Sequence, residues 1–176
     1  MGLRQSLPRV WLATDERQGD RLLGAVGRLP RGGGILFRHY SLPPEARRAL
    51  FDRILELARA RSATVLLAGP PETALEWGAD GCHGWTGGEG LRSVSVHNLR
   101  ELRRAEAGGA SLLFVSPVFA TRSHPGGQVL GPRRFARLAA QARRPAIALG
   151  GVTPERAPTL LRLGAYGWAG VDCWTV

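Results

Sequence analysis

Two adjacent glycines, Gly150 and Gly151, are the clearest chemical signal in this sequence. They follow the apolar run Ala146–Leu149, and Thr153-Pro154-Glu155 after them has the proline and acidic residue typical of a first helical turn. Backbone amides of residues without side chains can approach an anion closely, and a helix N-terminus favours negative charge. The segment predicts a phosphate-binding turn, for which an ordinary tight turn between strand and helix is the alternative.

A polar segment at residues 119–127 is a second candidate. Thr121, Arg122 and His124 supply a hydroxyl, a guanidinium and an imidazole, which can close over a bound phosphate. A disordered surface loop is the alternative. Neither this segment nor the glycine pair matches a P-loop or a dinucleotide fingerprint, so no nucleoside triphosphate or nicotinamide site is indicated.

Polar side chains also follow the other short apolar runs, and working residues in parallel α/β folds lie at the carboxyl ends of strands. The four histidines lack the spacing of a metal site, and His83 and His97 are more often structural residues than ligands. No nucleophile elbow is present, so covalent hydrolysis is not indicated. The polar strand ends are Thr14-Asp15, Arg38-His39-Tyr40, His83, Ser95, His97, Ser116 and Asp172.

Eight short apolar or β-branched runs, bounded by Gly, Pro or Asp, predict eight strands. Segments with helical periodicity separate most of them, the clearest being Pro44–Arg61. Three predicted helices end in Gly and Ala directly before the next strand, which indicates one repeated βα unit. The predicted strands are Val10–Ala13, Gly34–Phe37, Ala63–Leu67, Gly81–His83, Ser93–Val96, Leu112–Val115, Ala146–Leu149 and Trp168–Val171.

Alternating strands and helices form either an open doubly wound sheet or a closed barrel. Eight parallel strands favour closure, because only a barrel leaves no free edge, so we predict a small (β/α)8 TIM barrel as a single domain over residues 1–176. The helix after the fourth strand is expected to be reduced, since little fits between Gly84 and Arg92. The C-terminal helix is expected to be missing, which would expose apolar surface for a partner, such as a second copy in a homodimer.

Composition narrows the possible partners and compartment. The net charge of +10 suggests binding to nucleic acid. However, all 24 basic residues are arginine, and they are spread along predicted helix faces among acidic residues, so we expect no nucleic-acid partner. No apolar run is long enough to cross a bilayer and no secretion signal is visible, so we expect a cytoplasmic protein without membrane contact. Cys82 and Cys173 are interpreted as small buried hydrophobic residues.

Six segments in order resemble the thiamin phosphate synthase and TenI family, from about Val10 to Cys173. The resemblance implies a phosphate-binding barrel of thiamin biosynthesis, binding a phosphorylated small molecule. The segments are Thr14-Asp15, Phe37-Arg38, Gly78-Ala79-Asp80-Gly81-Cys82-His83, Ser93-Val94-Ser95-Val96-His97, Ser116-Pro117-Val118-Phe119-Ala120-Thr121 and Ala148-Leu149-Gly150-Gly151-Val152.

That family's synthase joins hydroxymethylpyrimidine diphosphate to a thiazole phosphate and uses Mg²⁺. Here its metal carboxylate segments are replaced by Ala68-Gly69 and by Trp85-Thr86-Gly87-Gly88, so the Mg²⁺ ligands are expected to be lost. The resemblance and the strand-end argument together imply catalytic roles for Arg38, Ser95 and His124, phosphate binding by Thr121, Ser116, Gly150 and Gly151, and a substrate pocket including His83, Tyr40 and Asp172.

The changed positions leave alternatives open. Two lysines of the family fall on Tyr40 and His124, which removes two permanent charges. The related thiazole tautomerase needs no metal, but its catalytic histidine falls on Pro117, and His83, His97 or His124 would have to replace it. A non-catalytic binder or regulator of thiamin intermediates is the other alternative.

Overall fold

The computed structural model describes residues 7–87, 90–122 and 126–175. It contains eight parallel strands, whose bounds differ from the predicted ones by one or two residues at four of the eight. The strands are β1 (Val10–Ala13), β2 (Gly34–Phe37), β3 (Thr64–Ala68), β4 (Gly81–His83), β5 (Leu91–Val96), β6 (Leu112–Val115), β7 (Ala146–Ala148) and β8 (Gly167–Gly170).

The strands form a closed barrel in chain order, which confirms the predicted fold class. Each strand pairs in parallel with the next, and β1 closes the ring by pairing with β8, with Trp11 opposite Gly34 on one side and Ala169 on the other. Closure removes the free edges that an open sheet of this size would leave. The carboxyl ends of all eight strands therefore meet at one rim of the barrel.

In the described part of the chain, the barrel is surrounded by six α-helices: α1 (Leu22–Arg28), α2 (Pro44–Ala60), α3 (Pro71–Glu76), α4 (Leu99–Ala107), α5 (Gly131–Gln141) and α6 (Ala157–Arg162). No helix follows β4 in the described residues of that connection, 84–87 and 90, consistent with the predicted reduction. The helix predicted to start near Thr153 begins only at Ala157, because the amides of Arg156 and Ala157 first form a turn on the Thr153 carbonyl. The α6 N-terminus is therefore not next to Gly150.

The barrel interior is filled by alternate residues of the strands, as a period of two requires. Trp11 and Phe114 meet edge to face at its centre, with ring centroids 5.4 Å apart, and Leu36, Leu66 and Ile147 pack around them. Above this apolar layer the alternating positions become polar. They are Arg38 after β2, His83 on β4, Ser93 and Ser95 on β5, and Ser116 after β6.

A short 3₁₀ turn, Asp172–Trp174, occupies the position of the eighth helix. Trp174 is 8% exposed, stacks on Trp168 at 5.4 Å and donates its indole N–H to the Trp11 carbonyl at 3.2 Å. The expectation that a missing helix exposes the apolar face beside β1 and β8 is therefore wrong, because one tryptophan covers it. The homodimer is still a prediction, but an exposed apolar face beside β1 and β8 no longer supports it.

Candidate phosphate-binding site

A cavity of about 790 Å³ opens at the carboxyl ends of the strands, where barrels hold their working residues. Tyr40 does not line it and is 66% exposed, and His83 lies beneath it instead of in its wall. His124 falls outside the described residues. The predicted site residues that line the cavity together are Arg38, Ser95, Ser116, Thr121, Gly150, Gly151 and Asp172.

Gly150 and Gly151 form one wall, with φ angles of +93° and +60° that disfavour any side chain. A Cβ on Gly150 would lie 2.7 Å from the Pro117 Cα, and one on Gly151 would overlap the Ala120 carbonyl oxygen. Within the described part of the chain, neither glycine amide donates a hydrogen bond. Consecutive backbone N–H groups in such left-handed turns make anion-binding concavities.

Arg38 lines the same cavity and is held in place by the loop after β1. Its Nε donates to the Thr14 carbonyl at 2.6 Å, its Nη2 lies 3.3 Å from Asp15 Oδ2, and its backbone amide donates to the Thr14 hydroxyl at 2.9 Å. Burial lowers the pKa of Arg38 and the Asp15 charge opposes that effect. The guanidinium remains a fixed cation, because arginine does not lose its proton in proteins.

Asp15 is the acidic partner in this group. Burial would raise its pKa, but hydrogen bonds from Arg17 and the charges of Arg17 and Arg38 outweigh burial, so the pKa lies below its ordinary value. Arg17 also reaches Asp172, with 3.8 Å between Nη1 and Oδ1. The carboxylate of Asp15 is thus ionised and neutralised by two guanidinium groups.

His83 and two serines form a polar layer under the cavity. His83 Nδ1 lies 2.9 Å from Ser93 Oγ and its Nε2 lies 3.3 Å from Ser95 Oγ. Since the Ser93 hydroxyl donates to the Cys82 carbonyl at 3.4 Å, it accepts from Nδ1, and Nε2 then accepts from Ser95. Burial, with a smaller effect from Arg38, lowers the pKa of His83 to about 4, so this ring is neutral and positions Ser95.

His97, a polar strand end and one of the three histidines considered as a replacement for the tautomerase base, lines the cavity. Its Nδ1 lies 2.6 Å from the Ser116 carbonyl oxygen, which can only accept, so Nδ1 carries the proton and neutral His97 has its lone pair on Nε2. The alternation of β5 explains this position, because His97 comes two residues after Ser95 and continues its inward face.

Two further arginines line the cavity, Arg122 and Arg156. Arg156 Nη1 donates to the Gly151 carbonyl at 2.7 Å, and its guanidinium lies over the Phe119 ring, 4.7 Å from the centroid. Arg156 therefore joins the loop after β6 to the glycine turn. Sequence reasoning missed it, because a residue after Pro154-Glu155 was interpreted as part of a helix surface.

Cys173 also lines the cavity, and it is half-buried, so the interpretation of both cysteines as buried is correct only for Cys82. Burial raises the pKa of the Cys173 thiol to about 11, and the thiol is therefore protonated and unreactive at neutral pH.

The residues of this site do not fit Mg²⁺. Nowhere in residues 7–87, 90–122 and 126–175 do three or more His, Cys, Asp or Glu side chains form a group that could hold a metal ion. Asp15 is engaged by two arginines, which leaves Asp172 as the acid on the cavity wall among the described residues. Mg²⁺ prefers several oxygen ligands in octahedral geometry, which this set does not supply.

Fold and site together define a small (β/α)8 barrel with a polar, arginine-lined cavity at the carboxyl ends of its strands. The profile of the family described as "Thiamine monophosphate synthase" matches residues 86–173, which is half of the chain. The chain belongs to this family. No helix in the described ranges is both long and apolar enough to cross a membrane.

Individual relatives agree with the family profile. The chain is 29% identical over 177 residues to a thiamine-phosphate synthase of Roseiflexus castenholzii, covering 91% of this chain and 78% of that protein. It is 31% identical over 154 residues to a thiamine-phosphate synthase of Geobacillus kaustophilus, covering 77% and 70%. The solved structure of a thiamine phosphate pyrophosphorylase from Pyrococcus furiosus has the same fold, with a TM-score of 0.78, 23% identity and coverage of 97% of this chain and 88% of that one.

Proposed function

We propose that this protein acts in thiamin biosynthesis as a thiamine-phosphate synthase, and that it binds a phosphorylated thiazole or thiamin phosphate at Gly150 and Gly151. The observation that carries the proposal is the pair of glycine amides on the cavity wall, which donate no hydrogen bond within the described part of the chain. When a ligand covers a backbone N–H group, the loss of its water costs free energy unless the ligand accepts a hydrogen bond from it. The two glycine amides therefore favour a ligand with acceptor oxygens. Family membership supplies the phosphate ester as that ligand.

In the proposed reaction the phosphate of the thiazole is held by the glycine turn, with the Thr121 hydroxyl beside it. The diphosphate of hydroxymethylpyrimidine lies across the cavity against Arg38 and Ser95, which line the same space. The C–O bond to the diphosphate breaks, the electron pair leaves with the diphosphate oxygen, and the thiazole nitrogen forms the new bond to carbon. Fixed donors around the leaving group stabilise the charge that develops on it.

The direct test is a coupled assay with both substrates, which measures thiamin phosphate and diphosphate released, together with calorimetric titration of thiamin phosphate. We expect binding by the unmodified protein and at least tenfold weaker binding by Gly151→Ala, whose added Cβ would overlap the Ala120 carbonyl oxygen and so displace the glycine turn. Gly32→Ala is the matched control, because Gly32 has a φ of +72° but nothing within 4 Å of its added Cβ. Failure of both thiamin phosphate and thiazole phosphate to bind would reject the proposal.

Proton transfer on a thiazole phosphate is a second candidate activity, supported by one observation. The Ser116 carbonyl fixes the His97 tautomer, so that Nε2 is free to accept a proton within the described surroundings. A base near a phosphate-anchored heterocycle is the minimum that a tautomerisation requires.

The test of this second candidate is exchange of carbon-bound hydrogen of a thiazole phosphate into deuterium oxide, followed by NMR. We expect exchange to slow at least a hundredfold in His97→Gln while thiamin phosphate affinity is retained. Equal exchange rates in the two proteins would exclude His97 as the base.

A further inference from the structure

We infer that the cavity holds a diphosphate with the guanidinium groups of Arg38, Arg122 and Arg156, so that binding needs no divalent metal. This inference rests on the proposed function, since it concerns how the same site accepts its second substrate. The family positions for metal carboxylates carry Ala68-Gly69 and Trp85-Thr86-Gly87 in the described chain, and none of these side chains can ligate Mg²⁺ through a carboxylate.

Within the described ranges, Asp15 and Asp172 are the acids at this rim that arginines reach, and both lie within 4 Å of guanidinium nitrogens. Asp15 accepts from Arg17 Nε at 2.8 Å and lies 3.3 Å from Arg38 Nη2, so its charge is compensated from two sides. Asp172 lies 3.8 Å from Arg17 Nη1. A metal ion at this rim would have to compete with guanidinium groups for each of these two carboxylates.

The three arginines lie on three different loops around the same cavity, after β2, β6 and β7. Two of them have fixed orientations, because Arg38 donates to the Thr14 carbonyl and Arg156 to the Gly151 carbonyl, at 2.6 Å and 2.7 Å. Each guanidinium has five N–H donors, so donors remain for an anion after these bonds. Arginine matches phosphate oxygens in a planar, two-pronged geometry, and three such groups offset the charge that a metal ion would otherwise carry.

Arg156 is the decisive member of the set. Stacking on Phe119 and the bond to Gly151 hold its charge beside the glycine turn, on the wall of the cavity that Arg38 also lines. A cation held on this wall adds fixed positive charge to the space that a diphosphate would enter. It therefore contributes to the affinity for inorganic diphosphate whether or not a metal ion is present.

The test is calorimetric titration of the full chain with inorganic diphosphate, once in EDTA and once in excess Mg²⁺. We expect binding in EDTA, no gain in affinity with Mg²⁺, and at least tenfold weaker binding by Arg156→Ala in both buffers. Arg156→Lys keeps the charge but not the two-pronged geometry and is expected to lie in between. Arg48→Ala is the matched control, because Arg48 pairs with Asp52 on the exposed face of α2, outside the residues that line the cavity.

Tenfold or greater strengthening of diphosphate binding by Mg²⁺ would overturn the inference, and so would an unchanged affinity in a folded Arg156→Ala. The comparison of the two buffers uses the unmodified protein, so it decides the question even where a variant fails to fold. Titration with thiamin phosphate in the same buffers distinguishes failure of this inference from failure of the proposed function. If thiamin phosphate binds and diphosphate requires Mg²⁺, this inference fails while the proposed function stands.

Discussion

At the scale of single residues, the polar layer under the cavity depends on a neutral imidazole. His83 is 7% exposed, faces the edge of Phe114 at 5.5 Å and bridges the hydroxyls of Ser93 and Ser95. Burial and the Arg38 charge both disfavour its protonated form, which explains a pKa of about 4. Ser95 is thereby oriented without a charged neighbour below it.

The depressed pKa of His83 makes stability depend on pH. Between the ordinary pKa of 6.5 and about 4, the unfolded chain binds a proton that the folded protein does not, so the free energy of unfolding falls as pH falls through this window. The full effect is at most about 3.5 kcal/mol, at about 1.4 kcal/mol for each pKa unit between 6.5 and about 4. Urea unfolding from pH 7.5 to pH 4 measures it.

His83→Asn is expected to lose most of this pH dependence. Burial also lowers the pKa of His39, so a smaller slope of the same sign remains in the variant. Asp15 acts at lower pH, since its pKa is below 3.8. An undiminished slope in His83→Asn would contradict the assignment to this imidazole.

At the scale of elements, the loops after β6 and β7 form one unit. The amides of Val118 and Phe119 donate to the carbonyls of Leu149 and Gly150, both at 2.9 Å. Arg156 adds a side-chain link to the same pair of loops. The glycine turn on the cavity wall is therefore held in place by the neighbouring loop.

The 3₁₀ turn after β8 is an element whose contribution can be measured. Trp174→Ala removes the ring that covers Trp168 and the side-chain bond to Trp11, and the expected loss is about 3–5 kcal/mol of unfolding free energy. Trp85→Ala is the control, because Trp85 is 48% exposed and its removal should cost well under half as much. Denaturation of both variants in urea makes the comparison, and equal losses would contradict a covering role for Trp174.

At the scale of the whole molecule, part of the positive charge is compensated locally by acidic side chains. Arg48, Arg59 and Arg103 pair with Asp52, Asp80 and Glu106 at 2.9, 2.8 and 3.3 Å. These pairs lie on different parts of the outer surface, which favours the interpretation of the arginines as solvated helix faces. The cavity is where arginines from separate loops converge.

Ligand binding at the rim should stabilise the entire barrel, because the site exists only when β2, β5, β6 and β7 are in place. At a hundred times its Kd, thiamin phosphate adds about 2.7 kcal/mol to the unfolding free energy. For a chain of this length that corresponds to a rise in Tm of about 5–10 °C. Comparing the rise in Tm caused by thiamin phosphate with the rise caused by unphosphorylated thiamin measures the stabilisation due to the phosphate group. Equal rises in Tm would argue against a phosphate anchor.

Local sequence was sufficient for the framework of this protein. Short apolar runs separated by amphipathic segments, with Gly78, Gly109 and Gly164 at positive φ before three strands, predicted eight parallel strands and their closure. The glycine pair after β7 was visible for the same reason, because backbone conformation and side-chain size at one turn are local properties.

Only the tertiary structure decided which rim residues face the cavity. It brings Arg156 and His97 into the wall, keeps His83 below the cavity and leaves Tyr40 outside, although His83, His97 and Tyr40 all end or closely follow strands. Side-chain direction in a loop depends on contacts with distant segments, such as the bond from Gln18 to the Val171 carbonyl that ties the loops after β1 and β8 together. Such contacts arise from closing the ring, and no local pattern in the chain encodes them.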